Sequence, residues 1–165
     1  MSNISKAFDH GKAFIGFATA GDPDLEASRR VMLEMARGGC DLIEIGIPFS
    51  DPIAEGPVIQ EADLRALNAG TTTDKVFEMT AKLSAETDVP LVYMTYLNVL
   101  FKYGYEKFLK NAKESGVSGV IVPDLPFEEK GELQSVAEKF DIDVISLVAP
   151  TSEQRIQMIA KEAQG

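Results

Sequence analysis

The sequence predicts an α/β fold of the (β/α)8 TIM-barrel type, with parallel strands in sequential order. A short apolar run, a polar turn and an amphipathic helix repeat about five times in 165 residues, and this alternation implies parallel strands with right-handed crossovers. The first strand is followed by Gly21-Asp22-Pro23, which is not the glycine-rich phosphate loop of a doubly wound sheet. A complete barrel needs eight units and roughly 250 residues. We therefore expect residues 1–165 to form a single barrel domain that is incomplete, truncated at the C-terminus.

The five strands are predicted from short runs rich in β-branched and aromatic residues, each bounded by turn-forming residues. These runs occupy residues 14–19, 41–47, 90–96, 119–123 and 143–149.

The helices between them are predicted from apolar residues at helical spacing. The first stripe comprises Leu25, Ser28, Val31, Met32, Met35 and Ala36 and stops at Gly38-Gly39. A short helix near residues 60–67 precedes another at 74–85, whose inward residues are Val76, Met79, Thr80 and Leu83. Two later stripes comprise Tyr105, Phe108, Leu109 and Ala112, and then Leu133, Val136, Ala137 and Phe140. The last helix opens with Thr151 and Gln154 at the spacing of a capping box.

The composition argues against several classes of function. A net charge of −10 opposes binding to nucleic acid or to anionic lipid, and no apolar run approaches the roughly 20 residues of a membrane helix. The N-terminal residues lack the apolar segment of a secretory signal. Cys40 is the only cysteine, which excludes an internal disulfide and is typical of a reducing compartment, so we expect a cytoplasmic protein. With His10 the only histidine, we expect no metal site, and acid–base chemistry is left to Asp, Glu, Lys and Tyr.

The second strand carries a carboxylate among isoleucines. Side chains alternate between the two faces of a strand, so Ile43 faces the outer helices while Glu44 and Gly46 point into the barrel interior. Burial raises the pKa of such a carboxyl, which suits a group that transfers protons near neutral pH. The alternative interpretation is a glutamate paired with a lysine or arginine across the barrel. The strand alone favours neither the proton-transfer group nor the salt bridge.

A long loop rich in proline, glycine and acids follows this strand, from Ile47 to Pro57. Barrel enzymes keep their active sites at the carboxyl ends of the strands, so the loop is a candidate functional segment, although an acidic surface turn is the commoner interpretation of such a composition. The run IEIGIPFSDP at residues 43–52, followed by AEGPVIQ at 54–60, resembles the motif of the tryptophan synthase α subunit. The resemblance continues through GDP at 21–23, MTYLN at 94–98 and VPDLPFEE at 122–129, in order and with similar spacing.

The resemblance implies a lyase of the tryptophan synthase type, which cleaves carbon–carbon and carbon–oxygen bonds. Its α subunit converts indole-3-glycerol phosphate to indole and glyceraldehyde 3-phosphate by a retro-aldol step in tryptophan biosynthesis. Glu44 stands at the position of the family's general acid/base. Glu55 stands where the family has an aspartate that holds the indole N–H, and we expect the longer carboxylate to keep that role. No metal or other cofactor is implied for this chain, and pyridoxal phosphate is expected only in the partner β subunit.

The resemblance also implies a substrate pocket and a partner surface. The pocket positions are Phe17, Met94, Tyr96, Ile121 and Asp124. Asp51, Pro52 and Asn98 would face the β subunit of an α2β2 heterotetramer. The family's phosphate-binding turns have no counterpart before Gly165, so we expect residues 1–165 alone to bind substrate poorly.

Two other functions stay open at this point. One is another phosphate-handling barrel isomerase or aldolase, although a Schiff-base aldolase needs a lysine on a strand, and Lys75, Lys82 and Lys107 lie on predicted helices. The other is a non-catalytic barrel fragment that acts as a scaffold for binding a partner.

Overall fold

The computed structural model describes residues 3–150 and 153–163. Its centre is one sheet of five parallel strands whose spatial order follows the sequence. The strands are β1 (Ile15–Thr19), β2 (Leu42–Gly46), β3 (Leu91–Met94), β4 (Gly119–Ile121) and β5 (Asp143–Ile145). The predicted fold class, a TIM-type sheet that forms part of a barrel, is confirmed.

Seven α-helices and three short 3-10 helices occur in the described residues. The α-helices are α1 (Leu25–Arg37), α2 (Pro57–Asn68), α3 (Thr73–Ser84), α4 (Leu97–Tyr103), α5 (Tyr105–Glu114), α6 (Gly131–Ala137) and α7 (Glu153–Glu162). The 3-10 helices are Asn3–Phe8, Phe127–Glu129 and Glu138–Phe140. The proposed capping box of the last helix lies outside the described residues, because Thr151 and the side chain of Gln154 are among those not described.

Local chemistry sets several helix boundaries. The Asp24 side chain accepts a hydrogen bond from the Ala27 N–H at 2.7 Å and so caps α1. Thr72 caps α3 through the Lys75 N–H, and Pro57 occupies the first position of α2, where its missing N–H costs nothing.

Strand β3 ends at Met94 rather than at residue 96, β4 ends at Ile121 rather than at residue 123, and other boundaries shift by one to three residues. Three further differences are larger or have a local cause. Val31 is 53% exposed, so its assignment to the buried stripe of α1 was wrong. The helix α4 was not predicted; it is separated from α5 by Gly104, whose φ of +89° breaks the helix. The strand β5 ends at Ile145 rather than at residue 149, because β4 ends at Ile121 and the following Pro123 has no N–H for a ladder hydrogen bond.

The two faces of the sheet bury different sets of side chains. The outer face packs against the helices through a large cluster that includes Ile43, Ile45, Tyr93 and Val120. The inner face holds a smaller cluster of Ile4, Ala7, Leu42, Val92 and Ile121, with Met94 and Ile145 against it. The predicted alternation along β2 is therefore confirmed, and Glu44, between Ile43 and Ile45, belongs to the inner face.

Candidate active site

Glu44 lies in the middle of β2, where Phe17 of β1 and Val92 of β3 are its register partners. Its side chain is half-buried, and this burial raises the pKa of the carboxyl above its ordinary value. Within the described part of the chain, the structure gives Glu44 neither an ion pair nor a hydrogen bond of its side chain. The alternative of a structural salt bridge across the barrel is therefore not supported by any described lysine or arginine.

Gly46, two residues after Glu44 on the same face of β2, leaves the space that the Phe17 ring occupies. A Cβ placed on Gly46 would lie 2.7 Å from Cζ of Phe17, far inside the contact distance of two carbon atoms. The Phe17 ring therefore leans along the inner face toward the carboxyl end of β2. The sequence prediction that Phe17 forms an apolar wall agrees with this placement.

The loop from β2 to α2 is held by the end of β3. The Tyr96 hydroxyl accepts a hydrogen bond from the Ala54 N–H at 3.0 Å and donates one to Oε1 of Glu55 at 3.2 Å. The Phe49 ring packs on the Tyr96 ring, with centroids 5.5 Å apart. Tyr96 thus fixes the loop at both its beginning and its end, and orients the carboxylate of Glu55.

One narrow cleft, with a volume of only about 10 Å³, brings several predicted site residues together. Its lining comprises Phe17, Gly46, Ile47, Glu55, Ile59, Asp63, Met94, Thr95 and Tyr96. Ile121 is 4% exposed and belongs to the inner cluster next to Met94, so it forms the floor of the interior rather than the cleft wall. Glu44 does not line this cleft. It lies two residues before Gly46 on β2, as the register partner of Phe17.

Asp124 has a structural partner that sequence reasoning did not find. Its Oδ1 accepts a hydrogen bond from the Leu97 N–H at 2.9 Å, which satisfies a backbone donor at the start of α4. The carboxylate after β4 therefore fixes the helix after β3. This bond depends on the juxtaposition of two strand ends, which no local pattern shows.

Asp63 is a second residue that sequence reasoning missed. It lies on α2 and is 6% exposed, and burial raises the pKa of its carboxyl to about 6. A signal was present, because Asp63 continues the inward helical stripe of Ile59, Ala62 and Ala66. A carboxylate on such a stripe is costly to bury in its charged form, which is why its pKa is raised.

The three predicted partner residues lie on the outside of the same end of the sheet. Asp51 and Asn98 line one surface groove, together with Phe49, Thr72 and Lys102 among others. Pro52 lies in the same loop and is partly exposed. Large apolar side chains are exposed on the same loop and on α4, with Ile53 at 79% and Phe101 at 71%. Exposed apolar groups with a polar rim are typical of a protein–protein surface.

The described residues form neither a metal cluster nor a membrane-spanning helix. Residues 3–150 and 153–163 contain no cluster of three or more His, Cys, Asp or Glu side chains that could hold a metal ion. None of the helices within those ranges is both long and apolar enough to cross a membrane.

Comparison with known proteins identifies similar chains. The family model described as tryptophan synthase alpha chain matches residues 4–165. A tryptophan synthase alpha chain of Lacticaseibacillus casei is 49% identical over 165 residues, which cover 100% of this chain and 62% of that relative. Tryptophan synthase subunit alpha of Legionella pneumophila str. Paris superposes with a TM-score of 0.93 at 38% identity, over 100% of this chain and 66% of that one.

A second solved structure, of the tryptophan synthase α2β2 complex of Pyrococcus furiosus, superposes with a TM-score of 0.88 at 36% identity. The match covers 93% of this chain and 65% of that one. The chain spans less than two thirds of the length of the curated relatives that it matches, for example 62% and 60% of two of them.

Proposed function

The chain belongs to the tryptophan synthase alpha chain family, and we propose that the protein cleaves indole-3-glycerol phosphate to indole and glyceraldehyde 3-phosphate. The observation that carries the proposal is the Glu44 carboxyl, which lies on the inner face of the sheet with a pKa raised by burial. A carboxyl of this kind can hold a proton at a pH where an exposed glutamate has lost it.

Glu44 supplies both proton transfers of a retro-aldol cleavage. Its acid form protonates the indole ring carbon that bears the glycerol chain, which leaves the ring as an iminium cation. The carbon–carbon bond then breaks, and its electron pair returns to the ring to restore the indole. The hydroxyl proton of the departing carbon passes to the Glu44 carboxylate as the aldehyde forms. One carboxyl thus starts and ends protonated, and no oxidant or reductant is consumed.

Glu55 complements this step at the ring nitrogen. A carboxylate that accepts the indole N–H stabilises the positive charge that develops on that nitrogen. Its hydrogen bond from Tyr96 orients it toward the cleft that it shares with Phe17 and Met94. We assign Phe17 and Met94 to the apolar walls for the indole ring, Ile121 to the floor beneath them, and Tyr96 and Asp124 to its polar boundary.

We further propose that Asp51, Pro52 and Asn98 contact a β subunit in an α2β2 assembly. The exposed Ile53 and Phe101 beside them supply the apolar area that such a contact needs. This chain is proposed to need no cofactor, with pyridoxal phosphate held by the β subunit. We also propose that the protein is cytoplasmic and that residues 1–165 belong to a single barrel domain.

The test is indole release from indole-3-glycerol phosphate by the complete gene product, measured with and without the β subunit. The proposal expects indole and glyceraldehyde 3-phosphate in equal amounts, with faster turnover in the complex. Absence of indole under both conditions would contradict the proposal and would favour the scaffold function instead.

A further inference from the structure

The helix α2 has little apolar surface with which to dock on the rest of the domain. Its buried residues are two alanines and one acid: Ala62, Ala66 and Asp63. The neighbouring helix α3 buries larger side chains instead, including Phe77 and Leu83. The free energy gained by burying apolar groups scales with their area, so packing alone holds α2 less firmly than α3. The position of α2 therefore depends more on its polar contacts.

Arg65, in the last turn of α2, makes a paired contact with Asp22 of the β1–α1 loop. Its Nε donates a hydrogen bond to Oδ1 of Asp22 and its Nη2 donates one to Oδ2, each at 2.8 Å. This contact lowers the pKa of the Asp22 carboxyl below its ordinary value. Most exposed ion pairs contribute little to stability, but a paired arginine–carboxylate contact fixes both the distance and the orientation of its partners. The contact therefore attaches the end of α2 to the β1–α1 loop.

The β1–α1 loop is itself held in place beside Asp22. The N–H of Gly21 donates a hydrogen bond to the buried Oγ of Ser28 at 2.9 Å, and this hydroxyl donates to the Leu25 carbonyl at 3.1 Å. Thr71, just after α2, packs so closely on the same loop that a Cβ placed on Gly21 would lie 2.9 Å from the Cβ of Thr71. The loop thus gives α2 a fixed point of attachment.

The opposite end of α2 carries Glu55, two residues before the first helical residue Pro57. Gln60, in the first turn, donates a hydrogen bond from Nε2 to the Glu55 carbonyl at 2.9 Å and so joins Glu55 to the helix. Ile59 of the same turn lines the cleft together with Glu55. Arg65 is eight residues after Pro57, which is about 12 Å along a helix axis. Because a helix of this length moves as a unit, release of Arg65 displaces Glu55.

We propose that Arg65 is a positioning residue for the cleavage reaction, whose ion pair with Asp22 docks α2 on the β1–α1 loop and thereby places Glu55 against the substrate. This role rests on the proposed function, because it acts through the carboxylate assigned to the indole N–H. Arg65 itself touches no reacting atom, since it lies at the other end of α2 from Glu55. A lysine keeps the positive charge but cannot reproduce the paired geometry, so the role requires an arginine.

The experiment compares Arg65→Ala, Arg65→Lys and the control Arg37→Ala in the complete gene product. Arg37 forms an exposed ion pair with Glu34 on α1 at 2.6 Å, away from the cleft. We expect the KM of indole release to rise about tenfold in Arg65→Ala and about threefold in Arg65→Lys, with little change of kcat. The Ala54 amide, which donates to the Tyr96 hydroxyl at 3.0 Å, should exchange its hydrogen about tenfold faster in Arg65→Ala. Arg37→Ala should change neither quantity.

The same substitution in a Glu55→Ala background tests the route of the effect. If Arg65 acts through Glu55, Arg65→Ala raises the KM of Glu55→Ala by less than about twofold, because the carboxylate that it places is already absent. A full tenfold rise in that background would show that Arg65 acts by another route and would overturn the proposal.

The outcomes separate this inference from the function that it rests on. An effect on folding alone reduces the amount of active enzyme, so a lower apparent kcat with unchanged KM would overturn the positioning role. A wild-type protein that releases no indole would overturn the proposed function, while exchange at Ala54 would still report whether Arg65 places the loop. If Arg65→Ala fails to fold, Arg65→Lys decides the matter: unchanged KM and unchanged Ala54 exchange in that variant contradict the proposal.

Discussion

The Tyr96 hydroxyl donates a hydrogen bond to Oε1 of Glu55 at 3.2 Å while accepting the Ala54 N–H at 3.0 Å. A residue at the end of β3 therefore controls the carboxylate that the preceding loop carries. This arrangement joins two parts of the chain that are about 40 residues apart, and it makes the loop part of the site rather than a surface turn.

Replacing Tyr96 by Phe removes this hydroxyl and keeps the ring that packs on Phe49. The Ala54 N–H and the Glu55 carboxylate each lose a partner, and we expect kcat/KM for indole release to fall about tenfold, mainly through KM. The matched control is Tyr105→Phe, since the Tyr105 hydroxyl makes no hydrogen bond with the residues described. Equal kinetics for the two variants would contradict the role assigned to Tyr96.

Replacing Gly46 by Ala tests the packing of the Phe17 ring. The new Cβ would lie 2.7 Å from Cζ of Phe17, so the ring must move, and overpacking of this kind costs roughly 1–3 kcal/mol. We expect a lower free energy of unfolding in urea and a raised KM. Gly131→Ala is the control, because a Cβ at Gly131 meets nothing within 4 Å. A Gly46→Ala variant as stable as this control would show that the Phe17 ring does not contact Gly46.

Replacing Asp124 by Ala removes the acceptor at the start of α4. The Leu97 N–H loses its partner at 2.9 Å, and we expect the free energy of unfolding to fall by about 1 kcal/mol. Asp124→Asn keeps a carbonyl oxygen at the same place and should be nearly as stable as the wild type. Thermal or urea unfolding of both variants distinguishes this capping role from a purely substrate-binding one, for which neither variant would lose stability.

The raised pKa of Asp63, about 6 against an ordinary 3.8, predicts a pH dependence of stability. Between these two values the native state binds more protons than the unfolded chain, so the free energy of unfolding declines as pH rises from about 4 to about 6. Asp63→Asn removes this decline and should be more stable than the wild type at pH 7, by roughly 1–3 kcal/mol. Urea unfolding at several pH values measures this difference. If the free energies of unfolding of the wild type and of Asp63→Asn change with pH in the same way, the raised pKa of Asp63 is contradicted.

The parts of the fold that could be predicted from the sequence are those governed by local periodicity. The alternation around Glu44 was sufficient to place its side chain on the inner face, because once the face of one residue is known, the faces of all the others in the strand follow. Helical spacing likewise predicted that Val76, Met79, Thr80 and Leu83 are buried. The cleft shared by Phe17, Met94, Tyr96 and Glu55 followed from the family resemblance together with the rule that strand ends meet at one edge of the sheet.

The features that were missed depend on contacts between distant segments. The bond from the Leu97 N–H to Asp124 joins two elements whose approach only the folded sheet defines. The burial of Asp63 likewise depends on how α2 packs toward β1. The end of β5 at Ile145 depends on where its neighbour β4 ends. Val31 is exposed because it lies on the boundary of the buried face of α1. Helical spacing alone does not tell whether a residue at such a boundary is buried or exposed.

The measurement that tests the central claim most directly is indole release by the Glu44→Gln variant of the complete gene product. The exposed Glu78→Gln variant on α3 serves as control, and urea unfolding verifies that both variants fold. Glutamine keeps the size of the side chain but cannot donate or accept the transferred proton, so we expect kcat to fall by at least about 100-fold, with the fold intact and Glu78→Gln unchanged. A Glu44→Gln variant that releases indole at the wild-type rate would contradict the account.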